Sequence, residues 1–268
     1  MSALIGGAGA LRAGGGAGSP TFLWELVCDI DFTQEADQAL SAGNLTVTNR
    51  VDGSPVVLAG QTVAIASGKL EMTAAASSNL AVASKTTRTA ALLGAAMTTI
   101  WPDFDGQPIR WGAEVSAAPT FDVSTRAWGV FAENETGLGG GNAGLGFTAE
   151  VRSTGVGTAT RYTRYQFSGG SSSVVALNST AYAAGLVAGI GFEGNGARGF
   201  WSLNPGDAGE LDVLTQVGAV GAPGGSEAGT AIAGVSRLGV FAAASAAGSF
   251  VVSIKRLVLF ARVARVAS

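Results

Sequence analysis

Asp29 and Asp31 stand two residues apart in the stretch FLWELVCDIDF, residues 22–32. That spacing places both carboxylates on one face of a strand, and paired carboxylates are the equipment of acid–base glycoside chemistry. A solvated strand face is the plainer reading of the same pair. Asp103 and Asp105, in Trp-Pro-Asp-Phe-Asp-Gly, offer loop oxygens of the kind Ca²⁺ takes; turn chemistry asks for the same residues. Gly139-Gly140-Gly141 is followed by neither Lys-Ser/Thr nor a helix start, so it is not a phosphate loop. The chain has one cysteine, Cys28, and no histidine. No intrachain disulfide can form. Ser-His-Asp and Cys-His nucleophiles and the commonest metal ligand are excluded together. Cys28, inside an apolar strand, reads as a small core residue. Among the tryptophans, Trp24, Trp111 and Trp128 fall in alternating apolar segments and read as core. Trp101 and Trp201 lie near loops and are the candidates for stacking on a sugar or lining an interface. Arg161, Arg164 and Arg198 read as solvated or as subunit contacts.

These residues must be positioned by strands. Phe22, Trp24, Leu26, Cys28, Ile30 and Phe32 alternate with Glu25, Val27, Asp29 and Asp31, a half-buried strand signal. Leu45–Thr48 and Val56–Leu58 flank the turn Asp52-Gly53-Ser54-Pro55. Residues 61–65 and 69–73 predict a hairpin about Ser67-Gly68. In residues 90–101, Ala and Leu favour helix while Met97–Trp101 reads as strand. Alternation recurs at 109–115, 127–133, 145–151 and 162–167. Residues 185–193 and 198–203 flank the hairpin turn Gly194-Asn195-Gly196, and residues 211–217 predict a further strand. Residues 237–243 and 249–262 close the chain. The last, SFVVSIKRLVLFAR, is apolar on both faces apart from Lys255 and Arg256, as a central strand is. A bulge at the basic pair would let Ile254 and Leu257 both face the core. Trp24 and Phe260 are expected in that core. More than a dozen short strands with little helix predict an all-β, two-sheet antiparallel sandwich over residues 21–268.

Of 268 residues, 41 are glycine and 13% are charged, about half the usual charge. So little charge covers a lone globule poorly and predicts surface buried against other protein. The net charge is −3 and no basic stripe occurs, so nucleic acid is not an expected partner. The longest uncharged stretch, 166–192, is interrupted by Ser/Gly and Asn-Ser-Thr segments, so no membrane insertion is expected. Residues 1–20, MSALIGGAGALRAGGGAGSP, form a Gly/Ala-rich N-terminal arm without the basic and apolar regions of a secretory signal. Met1, Leu4, Ile5 and Leu11 are its large apolar anchors. Because Gly is entropically expensive to order, the arm is expected to lie on a neighbouring subunit or another particle protein.

The run Ser236-Arg237-Leu238-Gly239-Val240-Phe241, a small-residue turn, and Phe250 through Ile254-Lys255-Arg256-Leu257-Val258-Leu259-Phe260-Ala261-Arg262 resemble the closing hairpin of concanavalin A-like (laminin G-like) lectin/glucanase modules. Such modules occur in bacteriophage structural proteins. Asp29-Ile30-Asp31-Phe32-Thr33 resembles their first strand. The resemblance spans residues 22–265 and implies a jelly-roll that binds sugar or protein on a concave face or loop rim. The Glu-x-Asp-x-Glu strand of sandwich glucanases is not matched, since its outer glutamates would fall at Asp29 and Thr33. The expectation is a non-enzymatic virion structural protein of a tailed phage: a decoration, fibre or tail-associated subunit assembled in the host cytoplasm. Its partners would be copies of itself and other virion proteins, and no cofactor is expected. A lectin-like module for a surface glycan is the second reading.

Overall fold

The computed structural model describes residues 21–74, 91–104, 109–117, 119, 126–133, 146–155, 158–166, 172–176, 182–183, 189–194, 199–203, 237–244 and 250–265. The strands run in chain order as β1 (Thr21–Asp31), β2 (Gln38–Ala39), β3 (Asn44–Thr48), β4 (Pro55–Gln61), β5 (Val63–Ala66), β6 (Lys69–Ala74), β7 (Ala91–Ala96), β8 (Ile109–Val115), β9 (Arg126–Glu133), β10 (Gly146–Gly155), β11 (Thr158–Gln166), β12 (Ser172–Ala176), β13 (Tyr182–Ala183), β14 (Gly189–Gly194), β15 (Gly199–Leu203), β16 (Arg237–Ala244) and β17 (Phe250–Arg265). A 3-10 turn, Phe32–Gln34, follows β1, and one helical turn, α1 (Met97–Ile100), follows β7. The first sheet has the order β15-β14-β8-β17-β6-β5-β2, with β1 also on β17. The second runs β12-β11-β10-β9-β16-β7-β4-β3, with β13 on β11. Every described pair is antiparallel. This is the expected all-β sandwich.

β17 organises the first sheet. One edge pairs with β8 from Ile254 to Ala261. The other pairs with β6 over Phe250–Ile254 and then with β1 over Arg256–Arg265. The register with β8 shifts between Ile254 and Arg256, so Ile254 and Leu257 are both buried in the interior cluster, as the sequence predicts. Beyond the bulge the strand has two apolar faces. Leu257 and Leu259 face the interior, while Val258 packs with Leu26 and Phe260 in a separate cluster. Phe260 is therefore outside the main core expected for it, and the Trp24 side chain lies outside those described.

Three further expectations are corrected. The alternation of residues 22–32 is not one face, because the β1–β17 register shifts between Leu26 and Cys28. Cys28, Ile30 and Phe32 fill the interior with Val27 against them, and Leu26 joins the outer cluster. Residues 91–100 take the reverse of the predicted order: the Ala/Leu half is strand β7 and Met97–Ile100 is the helical turn. β7 lies between β16 and β4 and is buried from Ala91 to Ala95, so tertiary pairing overrides helix propensity. The turn then places Met97 and Ile100, three apart, in the interior and leaves Thr98 and Thr99 exposed. Finally, β16 and β17 are not a hairpin. Each is apolar on both faces and needs lateral partners on both edges; β16 finds β7 and β9 in the second sheet, β17 finds its partners in the first.

The turns at Ser67-Gly68 and Asp52-Gly53 are as the residues predict, while Asn195 and Gly196 of the third lie outside the described residues. Ser67 and Gly68 both have positive φ, 52° and 72°, the primed-turn geometry of a tight hairpin, which joins β5 to β6. Gln61 belongs to β4 instead, and Thr62 (φ 59°) marks the step from one sheet to the other. β3 and β4 flank the Gly53 turn, and β14 pairs with β15. The predicted strand at 211–217 and the arm 1–20 lie outside the described residues. The sheets are tied across the core by Trp111, whose Nε1 donates to the Gly239 carbonyl at 3.0 Å; Trp111 and Trp128 are both buried, as expected. No described helix is long and apolar enough to cross a membrane.

Candidate functional site

Six charged residues, Asp29, Asp31, Arg110, Glu114, Lys255 and Arg256, lie together on β8, β17 and β1. Three rows cross these strands in register: Glu114–Arg256–Asp31, Gly112–Val258–Asp29 and Arg110–Phe260–Leu26. The alternate residues of the same strands, Trp111, Ala113, Leu257, Leu259, Cys28 and Ile30, fill the interior. Strand alternation thus dictates the outer set. Val258, at the middle of the lattice, is fully buried.

Arg256 reaches diagonally past Asp31 to Asp29, with Nε on Oδ1 at 2.7 Å and Nη2 on Oδ2 at 3.0 Å. This is the two-pronged guanidinium–carboxylate geometry, among the stronger side-chain pairings. Asp31 is held instead by its own turn, accepting from Thr33 N (3.0 Å), Thr33 Oγ1 (2.7 Å) and Gln34 Nε2 (2.7 Å). Partial burial pushes its carboxyl up, but those hydrogen bonds and the Arg256 charge outweigh it and hold it below the usual value. Lys255 Nζ donates to Glu114 Oε1 at 3.0 Å; Glu114 Oε2 is buried and has no hydrogen-bond partner among the described residues.

The bulge in β1 is stabilised from the second sheet. Asn49, 2% exposed, accepts from Asp29 N at 3.0 Å through Oδ1 and donates to the Val27 carbonyl at 3.2 Å through Nδ2. The Arg50 N–H donates to the Asp29 carbonyl at 2.7 Å. Arg50 also pairs with Glu35, whose Oε1 accepts the Thr48 N–H at 3.1 Å. Neither Asn49 nor this role was legible in the sequence. The only available signal for the charged lattice was the basic pair interrupting an apolar central strand, which requires acids opposite it.

The carboxylates of this lattice are held by neighbouring groups. Asp29 is committed to Arg256 and Asp31 to its turn. A glycosidase acid needs a carboxyl held protonated near neutrality, whereas Asp31 and Asp52 are shifted the other way, Asp52 by the Ser54 hydroxyl and N–H. Burial, with Asp29 and Asp52 adding, pushes the Cys28 thiol up to about 12, so it is inert.

The other candidates do not join this lattice. Trp101 follows α1, its N–H donating to Met97 O at 2.7 Å. Its ring lies 5.7 Å from that of Phe104 at 54°, and both are partly buried against the interior. Asp103 is exposed between them, and Asp105 lies outside the described residues. Among the described residues no three His, Cys, Asp or Glu side chains form a group able to hold a metal ion. Trp201 stands on β15 opposite Gly191, which stands opposite Gly112; its side chain is outside those described. Arg161 and Arg164 lie on β11. Met1, Leu4, Ile5, Leu11 and Arg198 lie outside the described residues.

No known family model matches the chain, and no curated protein matches it. Solved structures do. The CBM2 module of the evolved Dit of Lactobacillus casei BL23 phage J-1 aligns with TM-score 0.50 and 8% identity, covering 89% of this chain and 96% of the module. A Bacillus licheniformis beta-glucanase aligns with TM-score 0.37 and 7% identity, covering 90% and 98%. A mutant of SCLam, a non-specific endo-beta-1,3(4)-glucanase from family GH16, aligns with TM-score 0.45 and 10% identity, covering 91% and 99%. The chain has the jelly-roll sandwich fold of the concanavalin A-like kind, shared along nearly its whole length with a phage carbohydrate-binding module.

Proposed function

We propose that the protein is a non-enzymatic structural component of a tailed-bacteriophage virion, a decoration, fibre or tail-associated subunit that assembles through protein–protein contacts. The observation that carries this reading is the phage module, which matches 96% of its own length to 89% of this chain. The committed carboxylates of the outer lattice support a binding role over a hydrolytic one. The low charge supports burial of surface against neighbouring copies and other virion proteins. Particles purified from the source should contain the protein by mass spectrometry and bind gold-labelled antiserum raised against it. Its absence from purified particles would sink the reading.

A glycan-binding role is the second reading, favoured by the description of the phage neighbour as a carbohydrate-binding module. A glycan array separates the two, because a structural subunit gives no selective binding. Release of reducing sugar from polysaccharides, abolished by Asp29→Asn or Asp31→Asn, would overturn both in favour of an enzyme.

A further inference from the structure

We propose that residues 33–41 form a guard strap that closes the β3 edge of the second sheet against pairing with a second copy of the chain, the Gln38 side chain standing in for a neighbouring strand. The inference is independent of the virion reading.

The sequence of β3 invites pairing. Asn44-Leu45-Thr46-Val47-Thr48 includes neither charge nor proline, the usual means of blunting an edge. On β4, Val57 stands opposite Thr46 and is 45% exposed. β4 takes one side of β3, and in an antiparallel strand alternate residues turn their N–H and C=O groups to the other side. On that side the N–H groups of Asn44, Thr46 and Thr48 are all taken by residues 35–41. Asn44 and Ser41 exchange two backbone hydrogen bonds, each of 3.0 Å. Thr46 N donates to Gln38 Oε1 at 2.7 Å, and Gln38 Nε2 donates to the Thr46 carbonyl at 3.0 Å. A side-chain amide carries the donor and acceptor of a peptide group, so Gln38 makes the double contact that a paired strand residue would make. Thr48 N donates to Glu35 Oε1 at 3.1 Å.

The strap is exposed or half-buried throughout, and its one large apolar residue, Leu40, packs against the core. Polar pins set its position. Arg50 Nη2 donates to the Gln34 carbonyl at 3.0 Å and pairs with Glu35. Ser67 N donates to Asp37 Oδ1 at 2.8 Å. Gln38 and Ala39, as β2, pair with Ile65 and Ala64 of β5. Gln38 therefore has its backbone in the first sheet and its side chain on the second, and it bridges the strands that end both sheet orders among the described strands. A strand from a second copy must displace that amide before it can pair with Thr46.

Gln38→Met removes the amide and keeps the length of the stem; Gln38→Ala removes both. Full-length variants with wild-type circular dichroism are compared with the wild type by sedimentation equilibrium over a concentration series, so that any assembly through another surface is the baseline. Both should gain a concentration-dependent species of about twice the wild-type mass, because two β3 edges pair about a two-fold axis. Adding Thr46→Pro removes the outward N–H, a change that edge strands tolerate, and should return the mass to the wild-type value. In amide exchange, Thr46 should be protected in the wild type, exchange faster in dilute Gln38→Met, and slow again on concentration. Wild-type mass for Gln38→Met at every concentration overturns the proposal. So does association that survives Thr46→Pro, or an unprotected Thr46 amide in the wild type.

Discussion

On the outer face of the second sheet, Leu92, Ala127, Phe131, Phe241 and Ala243 form an apolar cluster in which nothing is more than 6% exposed. On the outer face of the first sheet Val258 is fully buried, but it is packed by the partly buried Leu26 and Phe260 and flanked by Arg256, Asp29 and Glu114. Both faces belong to central strands whose second side must be covered. The second sheet manages this with an aromatic ring laid over glycine: a Cβ on Gly239 would meet Phe131 Cζ at 2.2 Å and the Leu93 carbonyl at 2.4 Å. The first sheet combines Leu26 and Phe260 with paired charge. Apolar covering depends on volume, paired charge on partners, so the two faces should fail in different ways.

Truncating a side chain on either face should have the largest effect. Arg256→Ala leaves the partly buried Asp29 carboxylate without its guanidinium and should lower stability by about 3 kcal/mol, the low end for a buried pair, read by urea denaturation. Arg256→Met with Asp29→Leu should recover most of that, since an apolar replacement of a buried pair is often neutral. If the double variant is as unstable as the single, the lattice is not a self-contained pair. Phe131→Ala should lower stability by a similar or larger amount, about 3–5 kcal/mol, and no charge change should rescue it.

Gly239→Ala sharpens the contrast by adding volume where the second sheet has none to spare. Overpacking of this kind costs about 1–3 kcal/mol. Combining it with Phe131→Leu should recover only part, because the Leu93 backbone carbonyl remains in the way; full recovery in thermal melts would show that the ring alone sets the constraint. Asn49→Ala leaves the Asp29 N–H and Val27 carbonyl unsatisfied near the charged face, a loss of about 1–3 kcal/mol. Amide exchange at Asp29 should rise with it.

The smallest effect is expected from acid titration. Asp31 has a folded-state pKa below its ordinary 3.8, so the unfolded chain takes up a proton at higher pH than the folded one. Its stabilisation is complete above about pH 4 and is lost as pH falls through the folded value. Asp31→Asn should therefore make the acid limb of the stability curve shallower, with a small loss at pH 7. An unchanged limb would assign the acid sensitivity to Asp52, which is shifted in the same direction.

Short-range patterns settled most of the strands, because alternation and turn residues act within a few positions. Ser67-Gly68 and Asp52-Gly53 mark hairpins by backbone preference, and Ile254 and Leu257 implied a bulge because two basic residues could not both enter a core. Asp29 and Asp31 were legible as a pair, yet their roles were not, since Arg256 reaches the diagonal carboxylate and Thr33 and Gln34 take the other. Composition and local pattern by themselves determined an all-β chain without histidine or disulfide chemistry. Only the tertiary structure decided that β16 and β17 belong to opposite sheets, that residues 91–96 are strand, and that Val27 reverses the faces of β1. Each of those outcomes depends on which partners lie beside a segment, and pairing across more than a hundred residues leaves no trace in the local sequence.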